Sequence, residues 1–353
     1  MNIRKITALL LSGVLAASVL TGCGGINKDA TVATLNGTPV TLGIANFAAR
    51  LQQASYDDFY VAYFGENAWS SDLYGNGTTL ESTTKDSVIE SIQDMYTLQL
   101  HMDEYNVSLS EDEKTKIAET ATEFMKANDD KAIKALGATQ EIVEEYLTLV
   151  TIQSKMKAAM IVDADTNVTD KEAKTSSYSY VKISKTTHTG ADGKTVEYTD
   201  DERSDLANTV KEFAKAAGKD GLDEAAKAHE YTVSNGTFTG DDTTLDAKVL
   251  EKLKGMSEGD VSGLIDTDSD YYVVRLDKEL DPEATDQNRQ NIISKRQTDL
   301  YNQILDGWKK ESEWTLEQKV WDKVTFDNLF TTTVKNTENT EGVVQTEATE
   351  SIQ

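Results

Sequence analysis

The sequence is poor in the residues that most catalytic and metal sites require. It has one cysteine, which excludes an intrachain disulfide and a zinc ribbon. The three histidines, His101, His188 and His229, are far apart along the chain, so a histidine metal site needs distant segments to converge. Two prolines exclude collagen-like and proline-rich chains. Phosphate-binding, dinucleotide-binding and serine-hydrolase motifs are also absent, so most soluble enzyme classes lose support.

Positive charge is scarce as well. The chain has 61 Asp and Glu against 35 Lys and Arg, for a formal net charge of −26. So acidic a surface repels phosphate, and nucleic acid is therefore excluded as a partner. With 353 residues, 38% of them hydrophobic, the chain is long enough for two or three globular domains.

The N-terminus carries a short export signal. Arg4 and Lys5 precede a largely apolar run over residues 6–20, which is shorter than the ~20 residues of a membrane-spanning helix. The following Leu-Thr-Gly-Cys sequence, residues 20–23, resembles a bacterial lipobox. The resemblance implies cleavage before Cys23 and a lipid on its thiol, which anchors the protein to the extracytoplasmic face of the bacterial cell membrane. A plain signal peptide or an N-terminal membrane helix, with an incidental cysteine, is the alternative.

The chain that follows alternates between helical and strand-rich regions. Residues 32–165 open with a hairpin around Asn36-Gly37 and continue with helical periodicity, including a capping box at Ser110 and Glu113. Residues 166–280 predict a β-α-α-β-α-β order, with short strands over 231–233 and around Phe238. A long helix over 283–312 and a strand within 314–326 are expected next.

Five segments in this order carry a family resemblance. They are V-A-T-L-N-G-T-P-V-T (32–41), V-S-L-S-E-D-E (107–113), L-G-A-T-Q-E-I-V-E-E-Y-L (136–147), N-V-T-D-K-E-A (167–173) and G-D-V-S-G-L-I (259–265). Together they resemble the extracytoplasmic foldases of the PrsA/SurA type. The resemblance implies an α+β protein in which a split, mostly helical chaperone lobe holds an inserted parvulin-like domain, a small antiparallel sheet flanked by helices.

The same resemblance gives a domain layout and a function. The expected parts are a lipoprotein signal peptide (1–22), a tether (23–31), the N-terminal part of the helical chaperone domain (32–165), the parvulin-like domain (166–280), the C-terminal part of the chaperone domain (281–330) and a disordered tail (331–353). Such a protein assists the folding of newly exported polypeptides, its clients. A lipoprotein that captures a small solute is a further alternative.

The parvulin resemblance also marks site residues. The two histidines of the family's first and last strands fall here on Tyr180 and Tyr272, the degenerate catalytic positions. Peptide binding is assigned to Tyr180, Phe238, Leu245 and Tyr272. Because the catalytic positions have changed, a domain kept for peptide binding is favoured, and an active prolyl cis-trans isomerase is the alternative, since tyrosine hydroxyls also donate and accept hydrogen bonds.

Two other features have both a functional and a structural interpretation. Residues 266–270 are the best calcium candidate, but they lie at a turn where Asp and Ser are common, and neither a metal site nor a cofactor is predicted. Aromatic side chains crowd residues 56–74 and fit either a client-binding surface or packing inside the helical lobe.

Overall fold

The computed structural model describes residues 14–17, 26–190 and 193–333. It divides the chain into two compact units: a helical lobe, Met1–Asp163 with Leu300–Gln353, and an inserted unit, Ala164–Asp299. Cys23 and residues 334–353 of the predicted tail lie outside the described residues. Among the described residues, no helix combines the length and the apolar character needed to cross a membrane.

The helical lobe begins with the predicted hairpin, β2 (Thr31–Leu35) and β3 (Thr38–Thr41). Its turn places Asn36 and Gly37 at φ of 49° and 79°, the left-handed region that an Asn-Gly turn requires. Strand β10 (Trp314–Leu316) pairs antiparallel with β2, so a segment from the far end of the chain completes this sheet. Residues 14–17 form β1 (Val14–Ala17), which pairs antiparallel with β11 (Phe330–Thr333).

Helices make up most of the lobe. Ser110 and Glu113 form the predicted capping box at the N-terminus of the helix Glu111–Ala127. A short helix after Asp129 was not predicted, because it is only a few residues long and shows little periodicity. The helices are α1 (Leu42–Phe64), α2 (Leu80–Leu100), α3 (Glu111–Ala127), α4 (Asp130–Leu136) and α5 (Gln140–Met160), with single 3₁₀ turns at Ala68–Ser70, Met102–Tyr105 and Ile161–Asp163.

Both ends of the lobe's chain share one interior. Phe47 of α1 packs edge-on against Phe124, and the same buried cluster contains Trp321 and Phe326. A strand through 314–326 was expected, but extended structure ends at Leu316 and a helical turn, α11 (Gln318–Trp321), follows. The turn brings the large Trp321 side chain into the core, where it is 1% exposed, and this burial outweighs the strand preference of the segment.

The inserted unit contains a four-stranded antiparallel sheet in the order β7-β4-β9-β8. The sheet's strands are β4 (Thr175–Ser184), β7 (Ser234–Thr239), β8 (Ile265–Asp266) and β9 (Asp270–Lys278), and a separate hairpin is formed by β5 (Thr187–Thr189) and β6 (Thr195–Glu197). The predicted strand over 231–233 is wrong, because these residues leave a helix end and reach the sheet only at Ser234.

Two helices cover one face of this sheet, α7 (Asp200–Asp220) and α8 (Leu222–Ala228). Val181 and Val273 lie on that face and share a buried cluster with Phe213 of α7. On the opposite face the sheet meets α9 (Ala247–Lys254), whose Val249 and Leu253 pack with Val274. The expected α+β fold, a mostly helical lobe and a small antiparallel sheet flanked by helices, is confirmed.

The last helix of the inserted unit continues into the lobe. Helix α10 (Pro282–Glu311) starts almost where predicted, but its residues up to Asp299 belong to the inserted unit and not to the lobe. Hydrogen bonds connect this part of α10 to the rest of the inserted unit. The Arg289 guanidinium donates to Asp170 at 2.9 Å and Arg296 donates to Glu172 at 2.5 Å, and both carboxylates belong to the short helix α6 (Asp170–Ala173).

Candidate peptide-binding face

The two degenerate catalytic positions lie on one face of the sheet. Tyr180 of β4 pairs in register with Val274 of β9, and Lys182 pairs with Tyr272. Tyr180 and Tyr272 are therefore diagonal neighbours across two adjacent strands, within reach of each other's rings. Their ring centroids are 6.2 Å apart and the ring planes are inclined by 41°. The structure thus brings together two residues that are far apart in the sequence.

Tyr178 extends this aromatic surface along β4. Its ring stacks on Tyr180 with centroids 5.3 Å apart and meets Phe238 of β7 edge-on at 5.8 Å. A Cβ on Gly236 would lie 2.7 Å from the Tyr178 ring, so only glycine leaves room for the ring at this point. Tyr178 was not predicted as a site residue, although its alternation with Tyr180 on a strand predicts a shared face.

The remaining lining is aliphatic. Leu245, the fourth predicted peptide-binding residue, lies half-buried in the same apolar cluster as Tyr180, Phe238 and Tyr272. Leu250 and Met256, at and after α9, are half-buried there as well and were not predicted. Their signal is weak, because a leucine and a methionine near a short helix fit ordinary core packing equally well. The fully buried members are Val249, Leu253, Ile265, Val274 and Leu276.

Two tyrosines of this face, Tyr178 and Tyr272, have hydroxyls whose pKa is raised. Burial raises the pKa of Tyr178 to about 12, and burial likewise raises the pKa of Tyr272 above its ordinary value. Their hydroxyls therefore keep their protons at neutral pH and can hydrogen-bond a peptide carbonyl or N–H group. Lys182 lies 5.9 Å from the Tyr272 ring centroid and pairs with Asp270 at 3.4 Å, so one edge of the face is polar.

The described histidines lie away from this aromatic face. His229 contacts Phe213 at 5.6 Å, in the cluster behind the sheet, and His188 stacks on Tyr198 at 4.6 Å. In the described part of the chain, no group of three or more His, Cys, Asp or Glu has an arrangement that holds a metal ion. In the calcium candidate, Asp266 pairs with Lys185 and Asp268 lies 3.5 Å from Lys248.

Comparisons with known proteins agree with this architecture. The family model described as the PPIC-type PPIASE domain matches residues 185–287. Foldase protein PrsA of Clostridium kluyveri is 25% identical over 90% of this chain and 98% of its own length. Foldase protein PrsA of Clostridium perfringens is 23% identical over 91% of this chain and 96% of its own length. The resemblance to PrsA-type foldases is confirmed.

Solved structures that the comparison found include a PrsA and a SurA-like chaperone. PrsA of Bacillus cereus is 16% identical and covers 69% of this chain and 91% of its own, with a TM-score of 0.30. A SurA-like chaperone of Campylobacter jejuni is 11% identical and covers 81% and 98%, with a TM-score of 0.28. These superpositions give no residue-level correspondence. In sequence, the PPIC match includes Phe238, Leu245 and Tyr272, whereas Tyr180 precedes it.

Proposed function

We propose that this protein is a membrane-anchored extracytoplasmic foldase whose inserted unit binds unfolded, newly exported polypeptides. The similarity to PrsA foldases over 90% of the chain supports the general role. The observation that carries the peptide-binding role is the convergence of Tyr180, Phe238, Leu245 and Tyr272 in one apolar cluster. The anchor would be a lipid on Cys23, following the lipobox-like residues 20–23.

The chemistry of the face suits an extended apolar segment. Apolar surface buried against the tyrosine rings and Leu245 gives most of the affinity, at roughly 25 cal/mol per Å². The hydroxyls of Tyr180 and Tyr272 would satisfy backbone groups of the bound segment, which would otherwise lose hydrogen bonds to water. Because the side chains of this face are only half-buried, the face favours weak and repeated binding, as a chaperone for many clients requires.

Prolyl isomerisation is the second candidate. Its support is the proximity of the Tyr180 and Tyr272 rings, 6.2 Å apart, at the positions that the parvulin resemblance assigns to catalysis. Rotation about the prolyl amide has a barrier of ~18–20 kcal/mol, and desolvation of the carbonyl on an apolar surface lowers it. We favour binding without catalysis, because at both positions a phenol replaces the imidazole of the family's motif.

A refolding experiment tests the proposal. The chain from Gly24 onward is added to a denatured, aggregation-prone protein, and light scattering follows its aggregation during dilution. We expect suppression by this chain and at least a fivefold weaker effect for the double variant Tyr180→Ala with Tyr272→Ala. Val196→Ala, which removes an exposed side chain of the same unit, is the matched control and keeps full activity. Equal aggregation with and without the chain would refute the foldase role.

A protease-coupled prolyl-peptide assay on the same protein separates the two candidates. No rate above background is expected if the unit only binds. A clear rate that disappears in Tyr272→Phe would replace the binding-only proposal with an active isomerase. Strong thermal stabilisation by one small solute, without any effect on aggregation, would instead support a solute-binding lipoprotein.

A further inference from the structure

The helical lobe displays an aromatic surface that its own core does not cover. Five side chains of α1 follow a spacing of i, i+3, i+4, i+7 and i+8, which normally marks a buried helix face. Here the exposed fractions are 45% for Tyr56, 52% for Phe59, 73% for Tyr63 and 51% for Phe64. We call these residues together with the half-buried Tyr60 the aromatic patch. Monomeric proteins rarely leave such a stripe in water unless it has a partner.

The patch is held in place from below. Tyr60 meets Trp69 edge-on at 5.2 Å, and Trp69, only 3% exposed, meets Phe326 edge-on at 4.9 Å. The indole N–H of Trp69 donates to the Asp57 carboxylate at 2.5 Å. Within the patch, Phe59 and Tyr63 have ring centroids 4.7 Å apart. The rings thus form a connected array on a rigid base, which lowers the entropy lost when a ligand binds.

The segment that carries the patch has only negative charges. Residues 51–84 contain no Lys, Arg or His, whereas Asp58, Glu66 and Asp72 are exposed acidic residues. The backbone N–H groups of Gly77 and Asn76 donate to Asp72 and lower the pKa of its carboxyl group, so it remains ionised under ordinary conditions. Aromatic faces beside carboxylates attract cations by both cation–π and ionic forces.

The described part of the predicted tether joins the lobe at the opposite end of α1 from the patch. The chain enters the lobe beside the start of α1, where the Gly43 N–H donates to the Lys28 carbonyl at 2.8 Å. Helical rise of ~1.5 Å per residue places Phe59 and Phe64 about 24 to 32 Å further along the helix axis. Carboxylates beside the rings also repel anionic lipid headgroups. The negative charge therefore argues against an anionic membrane surface as the occupant.

We propose that the aromatic patch is a second client-binding surface, which takes unfolded segments in which Lys or Arg is interspersed with apolar side chains. This inference rests on the proposed foldase function and adds the substrate class that the lobe prefers. Apolar groups of the segment cover the rings of Phe59, Tyr63 and Phe64. Its cations are attracted by the carboxylates of Glu66 and Asp72, which belong to the same acidic segment of the lobe. Acidic unfolded segments are repelled.

Two matched peptides test the preference. Both have the same aromatic and leucine residues, with either Lys or Glu at every polar position, and fluorescence anisotropy measures their binding to the chain from Gly24 onward. We expect the lysine peptide to bind at least tenfold more tightly at low salt. The double variant Phe59→Ser with Tyr63→Ser should lose at least tenfold in affinity for it. Glu66→Lys should lose several-fold, and added salt should weaken the binding.

Control variants and outcomes separate this inference from the foldase proposal. Leu100→Ser with Val162→Ser removes exposed apolar groups of the same lobe, 47% and 74% exposed, and should bind as the unsubstituted chain does. If the patch variant binds normally while aggregation is still suppressed, the inference fails and the foldase proposal stands. If neither peptide binds and aggregation is unaffected, both fail. Patch-dependent binding to phosphatidylglycerol vesicles in place of the lysine peptide would assign the patch to the membrane and refute the inference.

Discussion

The aromatic cluster on the sheet of the inserted unit and the aromatic patch of the lobe are held in opposite ways. On the sheet of the inserted unit, Tyr178, Tyr180 and Tyr272 lie buried or half-buried against aliphatic side chains. On α1 of the lobe, Phe59 and Tyr63 point into water at 52% and 73% exposure. Residue type alone does not decide the environment of an aromatic side chain; the elements packed beside it do.

The two clusters obtain their stability from different sources. The sheet cluster obtains most of its stability from the fold, because α9 and the strands bury most of its surface. The aromatic patch is supported from below through Trp69, and its outer rings keep about half or more of their surface in water. Substitutions in the first cluster should therefore affect folding as well as binding, and substitutions in the outer patch should affect binding alone.

The largest effect is expected at the base of the patch. Trp69→Ala removes a buried indole and leaves the Asp57 carboxylate without one of its donors, so the free energy of unfolding should fall by about 3–5 kcal/mol. Urea denaturation of the full chain measures it. The neighbouring Tyr63→Ala should stay within about 0.5 kcal/mol of the unsubstituted chain. Comparable losses for the two variants would show that the outer ring is structural after all.

Asp57, at the base of the patch, should make the free energy of unfolding depend on pH. Burial raises the pKa of Asp57 to about 6, against hydrogen bonds from the Phe330 N–H and Trp69 that lower it. Between pH 4 and 6 the folded state keeps a proton that the unfolded state has lost. The free energy of unfolding should therefore fall as pH rises through this range, by up to about 3 kcal/mol.

Asp57→Asn, which cannot ionise, should remove this dependence. The measurement is the free energy of unfolding of both proteins at several pH values, taken as a difference so that the other carboxylates cancel. A difference that stays constant from pH 4 to pH 7 would contradict the raised pKa.

On the sheet, Gly236→Ala is expected to have an intermediate effect. Its new methyl group would lie 2.7 Å from the Tyr178 ring and displace it, which should cost about 1–3 kcal/mol and weaken peptide binding to this face. Gly240→Ala is the matched control, because a Cβ there meets nothing within 4 Å. Thermal unfolding and peptide anisotropy together detect the change. Unaltered binding in Gly236→Ala would separate the Tyr178 ring from the peptide-binding face.

The smallest effect on stability is expected for Tyr272→Phe. The ring stays in the cluster and only a half-exposed hydroxyl is lost, so the free energy of unfolding should change by less than about 1 kcal/mol. Affinity for an apolar peptide should fall no more than a few-fold. A loss of stability well above this range would mean that the hydroxyl, which hydrogen-bonds with Lys182, is a structural group and not one that serves a ligand.

Much of the fold was predictable because it depends on local patterns. The Asn36-Gly37 turn and the Ser110 capping box are set by residues a few positions apart, and both were predicted. The helical turn that buries Trp321 was not, because it depends on packing against strands and helices from the start of the chain. Tertiary burial overrides local preference at such points.

The candidate site divides in the same way. The family resemblance gave Tyr180, Phe238, Leu245 and Tyr272, and the structure brings all four into one cluster; their roles remain predictions. Leu250 and Met256 carry no motif, and only the packing of α9 onto the sheet identifies them. The exposure of Phe59 and Tyr63 was equally unpredictable, since a helical aromatic stripe fits a core and a binding surface alike.

Photo-crosslinking of an unfolded client tests directly whether both aromatic clusters bind client polypeptide. A denatured client carrying benzophenone groups is irradiated with the full chain, and mass spectrometry locates the crosslinks. We predict two sets, one around Tyr180 and Tyr272 and one around Phe59 and Tyr63. Crosslinks spread evenly over the surface, or confined to regions outside both clusters, would contradict the account.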